Sequence, residues 1–140
     1  MRPFSLKRKQ KETELISVVA QIRKERGNRC EDCGNTGRTD PSHNYSRKDF
    51  ASLIADAVNI TLLCRFGHDA FQDNRLWDLK NGERLLRHMK WQYENEPDQF
   101  RAISMRQHLN GKLQAARENA GVWGATFPAW AEKLLSETEF

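Results

Sequence analysis

No run of apolar residues in this 140-residue chain is long enough to cross a bilayer. The longest nearly apolar stretch, Leu15 to Ala20, falls far short of the roughly 20 residues that a membrane helix needs. A membrane-spanning protein is excluded on that ground, and no membrane partner is expected. Cysteine is scarce too, with three residues, which cannot all pair and so exclude a disulfide scaffold. Internal repeats, low-complexity tracts and long dividing loops are absent, so one domain is expected over residues 1–140. The basic start, Met1 to Lys11, runs into Glu12, Thr13 and Glu14. An apolar block would follow it in a secretory signal, so the expected compartment is the cytoplasm.

Charge is what the chain has in quantity. Lys and Arg number 23 against 19 Asp and Glu, and 38% of the residues are apolar, enough for a compact core. The excess is uneven: residues 1–29 carry nine basic and three acidic side chains, whereas residues 30–140 carry 14 and 16. A basic N-terminal arm or helix can neutralise phosphates, although a basic solubilising tail reads the same way.

The hydrophobic pattern outlines an α+β, mostly helical chain. Leu15, Val18, Val19 and Ile22 share one stripe of a helix over Glu12 to Arg26. Arg23, Lys24 and Arg26 sit near its C-terminus, where cations favour the dipole, and Gly27 stops it. From Asn28 to Asn44, Gly, Asn, Thr, Asp, Pro and Ser surround Cys30-x-x-Cys33, which reads as a knuckle with short strands or turns. Alternation from Asn59 to Leu63 predicts a short strand before Cys64. Gly67 is expected to break it, with a helix starting near His68. Three further helical segments follow: one through Leu85, Leu86 and Met89, one opened by Pro97 and Asp98, and one after Pro128. Trp77, Trp91, Trp123 and Trp130 read as packing anchors, and His88 and His108 as surface residues.

Cys30, Cys33, Cys64 and His68 have the order C-x2-C, a gap of 30 residues, then C-x3-H. Two thiolates two residues apart wrap one face of a tetrahedral ion, and ligands from a second segment close the cage, so structural zinc is expected. The alternative for Cys64, flanked by Leu62, Leu63 and Phe66, is a small apolar core residue.

Between those knuckles lies Ser42-His43 with Arg47-Lys48, and Asn59 opens the segment NITLLCRFGH that ends at His68. This order resembles the HNH group of His-Me finger nucleases, and it is similar in particular to phage recombination endonucleases of the NinG/Rap type. The resemblance covers roughly residues 28–75. It implies a ββα-metal finger: a strand ending at His43, a loop, a second strand containing Asn59, and a helix beginning near His68. In that arrangement His43 is the general base, Asn59 holds the loop that bears His43, and His68 ligates a catalytic divalent metal such as magnesium, manganese or nickel. Phosphodiester hydrolysis needs these parts on chemical grounds as well: an activated water, a cation on the scissile phosphate and a stabilised leaving oxygen.

Two positions depart from the pattern. Ser42 stands where many HNH proteins have an acidic ligand, with Asp40 the nearest carboxylate. Gly67 stands where many zinc-bearing relatives have a fourth cysteine. His68 is therefore claimed by two sites, the zinc cage and the catalytic metal, and we assign it to the latter. Gln72, Asp73 and Asn74 are lesser candidates for a further oxygen ligand, and Arg47, Lys48 and Arg65 for phosphate contacts.

The expectation is a metal-dependent endonuclease acting on DNA, on branched structures if the phage resemblance holds. Residues 1–27 form a basic arm and helix, 28–80 the finger, and 81–140 a helical extension whose apolar stripes suit a homodimer. The competing expectation is a zinc-stabilised nucleic-acid-binding module without cleavage activity.

Overall fold

The structure, a computed structural model, describes residues 3–139 and the side chains of residues 9–139. Side chains of the first, most basic residues thus lie outside the described part. Among the described residues there are five α-helices and one two-stranded antiparallel sheet, an α+β and mostly helical architecture. No described helix is long and apolar enough to cross a membrane. The chain forms two compact units, Met1–Arg65 and Phe66–Phe140.

The first unit is built on α1 (Pro3–Arg26), β1 (Thr39–His43) and β2 (Ile60–Cys64). The strands pair in the register Thr39 with Cys64 through His43 with Ile60. The predicted apolar stripe packs on the second strand: Ile22, Ile60 and Leu62 form a buried cluster with Leu15 and Val18 against it. Helix α1 starts well before the predicted Glu12, because its Lys, Arg and Gln residues are good helix formers. Cations near its C-terminus do more than complement a dipole. Arg26 donates to the carbonyls of Ala57 at 2.9 Å and Ile60 at 2.8 Å, and Arg23 to that of Thr39 at 2.8 Å, so both strands are tied to the helix end.

The segment between β1 and β2 carries its own small core. Tyr45, Phe50, Leu53 and Ile54 are buried, and the Tyr45 and Phe50 rings meet edge to face at 5.1 Å. Single 3-10 turns at Ala51–Leu53 and Ala57–Asn59 shape it. Asn59 thus lies in the turn just before β2, and not within the strand as expected. Its backbone N–H donates to the Asp56 carbonyl at 2.9 Å, which ends the turn at that residue.

Directly after β2 comes α2 (Arg65–Gln72), which starts three residues earlier than expected. Gly67 lies buried within its first turn and breaks nothing. Packing of the buried Ala70 and Phe71 outweighs the cost of one helical glycine, about 1 kcal/mol.

In the second unit α3 (Gly82–Glu94), α4 (Gln99–Val122) and α5 (Ala129–Thr138) pack on one another. Their facing residues include Leu86, Met89, Met105, Leu109, Leu113 and Leu135, all buried. Asp98 caps α4 by accepting from the N–H groups of Phe100 and Arg101. Two of the four tryptophans depart from the expected anchoring role. Trp91 lies off the Leu85, Leu86 and Met89 stripe, Trp123 lies beyond the last turn of α4, and both are exposed. His88 is exposed as expected and stacks on Trp91 at 6.1 Å, whereas His108 is half-buried.

Candidate functional site

Cys30, Cys33 and Cys64 converge although 30 residues separate the last two. Their sulfur atoms all lie within 4.8 Å of one another, and the Cys33 and Cys64 sulfurs are 3.7 Å apart. That spacing is far too long for a disulfide, whose S–S bond is about 2 Å. Thiolates about 2.3 Å from a tetrahedral ion stand about 3.8 Å from one another, so the three sulfurs fit around one metal ion. Among the described residues no His, Asp or Glu completes this group, His68 included.

Local sequence explains the knuckle. The Gly34 N–H donates to the Cys30 carbonyl at 2.9 Å and the Cys30 N–H to that of Asn35 at 2.9 Å. This tight reversal needs a positive φ after Cys33, which Gly34 adopts at 79°. The knuckle is held on β2 from both sides of Glu31: its N–H donates to the Leu62 carbonyl at 2.8 Å, and its carboxylate accepts from the Leu62 N–H at 2.6 Å. Arg26, 3.2 Å from the same carboxylate, balances that charge. Burial pushes the Cys30 thiol up. The backbone N–H groups of Cys33, Cys64 and Asp32, with the Cys33 side chain, outweigh it and leave Cys30 below the ordinary thiol range. Electron-rich sulfur surrounded by N–H donors is what a metal-binding thiolate requires.

His43, the last residue of β1, is half-buried, and its Nε2 lies 2.9 Å from the carbonyl oxygen of Ile54. A carbonyl only accepts, so Nε2 is the donor in this contact. The loop that supplies this carbonyl is clamped by Asn59. Asn59 Oδ1 accepts from the Tyr45 N–H at 2.7 Å, and its Nδ2 donates to the carbonyls of Tyr45 at 3.1 Å and Leu53 at 3.2 Å. Every polar atom of that buried side chain is thereby used to hold the loop. Ser42 lies on the opposite strand face from His43 by the pleat, fully buried beside its register partner Thr61. Thr61 in turn donates to Asn44 Oδ1 at 3.0 Å.

His68 occupies the first turn of α2 and is mostly buried. Its Nδ1 is buried without a hydrogen bond, and the nearest carboxylate oxygen, of Asp69, is 3.9 Å away. An imidazole nitrogen withdrawn from water with no donor or acceptor is short of a partner, which suits a metal ligand. The far end of the same helix is fixed by Lys112 of α4. Its ammonium donates to the Phe71 carbonyl at 2.7 Å and to Asn74 Oδ1 at 3.0 Å, over the Phe71 ring. Asn74 is thereby engaged with Lys112, while Gln72 and Asp73 are exposed.

Two of the three expected phosphate contacts already have carboxylate partners. Arg47 pairs with Glu12 at 2.8 Å, and Arg65 lies 3.5 Å from Asp40, which Arg38 also approaches. Lys48 is exposed. The sequence reading missed Ile54, whose contribution is a backbone carbonyl and leaves no trace in residue type. It also missed Glu31 and Arg26, for which the only signal was an Arg and a Glu flanking the knuckle. Comparison with family models, with curated proteins and with solved structures finds no match to this chain.

Proposed function

We propose that the chain is a metal-dependent HNH endonuclease that hydrolyses DNA phosphodiester bonds, with β1, β2 and α2 as its ββα-metal finger. The observation that carries this reading is the orientation of His43 by the Ile54 carbonyl, inside a loop clamped by Asn59. With its ring held in place through Nε2, a neutral His43 would take a proton from the attacking water. Asn59 acts as a positioning residue: it touches the loop and holds the carbonyl on which His43 leans. His68 would hold the catalytic divalent cation, magnesium, manganese or nickel. Such a cation, when bound, neutralises charge on the phosphate and stabilises the leaving oxygen. Zinc at Cys30, Cys33 and Cys64 would be structural, joining the knuckle to β2 and supplying stability that so short a loop lacks.

Nicking of supercoiled plasmid in magnesium or manganese tests the proposal. His43→Ala is expected to lower the rate at least 100-fold while leaving the fold intact by circular dichroism. A second reading, a zinc-stabilised DNA-binding module without cleavage, is favoured by the buried Ser42 at the position where many HNH proteins carry an acidic ligand. Plasmid binding without nicking in any divalent metal would decide for the module.

A further inference from the structure

Three exposed or half-buried side chains of the second unit form a cluster that the chemistry above does not use. Phe66, in the first turn of α2, is 59% exposed, and Trp123, just past α4, is 60% exposed. Between them stands Arg75. Its guanidinium carbon is 6.0 Å from the Phe66 ring centre and 5.1 Å from that of Trp123, and its Nε lies 3.4 Å from Asp78 Oδ2.

We propose that Phe66, Arg75 and Trp123 form a stacking platform for an unpaired nucleobase of the DNA substrate. Two large aromatic side chains kept in water are costly unless something covers them, and the cation that they flank selects what that is. An apolar peptide would have to cover a guanidinium. A nucleobase offers a flat π-face to ring and guanidinium alike, and its phosphate carries the opposite charge. The platform is pre-organised: Asp78 steadies the guanidinium, and the Trp123 backbone N–H is bound to the Asn119 carbonyl at 3.0 Å.

Phe66 and His68 lie two residues apart on one helix, which turns their side chains about 200° from one another around its axis. The inference rests on the nuclease reading in one respect: the strand that carries the stacked base is the DNA that the enzyme would cut. In a duplex both faces of a base are covered by its neighbours, so the platform selects strands with unpaired bases.

The test uses the full chain and two single strands of equal length, one of ordinary sequence and one abasic throughout, without catalytic metal. Fluorescence anisotropy is expected to give about tenfold tighter binding of the base-bearing strand. Trp123→Ala and Phe66→Ala should each reduce that ratio towards one, and Trp123→Phe should keep most of it. Arg75→Gln should weaken it less than either alanine variant. Equal binding of the two strands by the wild type, or an unchanged ratio in both alanine variants with native circular dichroism, overturns the platform. Plasmid nicking separates the two proposals. A wild type that nicks but shows no base preference sinks the platform alone, and one that keeps the preference but never nicks sinks the nuclease reading alone.

Discussion

Asn59 has no exposed surface, and its amide answers three backbone groups of the loop. Asn59→Ala leaves the Tyr45 N–H and the Tyr45 and Leu53 carbonyls without their partner and should cost about 3 kcal/mol in urea unfolding. Asn59→Asp should be no better, because a carboxylate would then face two carbonyl oxygens. Lys112 offers a test by pH. Burial lowers its pKa to about 8, against about 10.4 in an unfolded chain. Below pH 8 both states hold the proton, and the native state bears the full cost of a buried charge. Between about 8 and 10.4 the native state has released the proton while the unfolded state still binds it, so stability rises with pH across that window. Lys112→Met should remove this slope in a series of urea titrations against the wild type. The family resemblance had given Asn59 the task of holding this loop, whereas nothing marked Lys112: a Lys in a helix is ordinary until its neighbours are known.

At the scale of elements, periodicity located the helices well and their ends poorly. Leu15, Val18 and Ile22 of the predicted stripe do pack with β2, and Asp98 does cap α4. Gly67 misled because a glycine signals an end only where packing does not outweigh it, and here α2 continues through it with Ala70 and Phe71 buried. Gly82 has the opposite character and attracts no notice in the sequence. A Cβ there would stand 2.9 Å from the Leu76 carbonyl oxygen and 3.2 Å from Leu79 Cβ. The 3-10 turn Leu76–Asp78 approaches the start of α3 that closely only because the side chain is missing. Gly82→Ala should therefore destabilise by about 1–3 kcal/mol despite the better helix propensity of alanine, and a lowered urea midpoint checks it.

For the whole molecule, metal removal is the informative perturbation. If the three thiols hold structural zinc, the purified protein should carry one zinc per chain by elemental analysis, and Cys30→Ser should lose it. Stripping the zinc should remove hydrogen-exchange protection across residues 28–64 while leaving α3, α4 and α5 protected, because the thiols join segments of the first unit only. Uniform loss of protection along the chain would count against that local role.

The sequence by itself determined the class of the molecule and its chemical inventory. Spacing named the thiols and His68, a family resemblance added His43 and Asn59, and the apolar pattern named the helices, because all three are carried by residue type and order. Only the tertiary structure decided which nitrogen of His43 keeps its proton, how Asn59 holds the loop, and that Cys64 joins Cys30 and Cys33. Likewise it exposed Phe66 and Trp123 around Arg75. Each of these depends on backbone atoms or on residues distant along the chain. Such relations exist only once the entropy of the chain has been overcome by packing, so no local pattern can carry them.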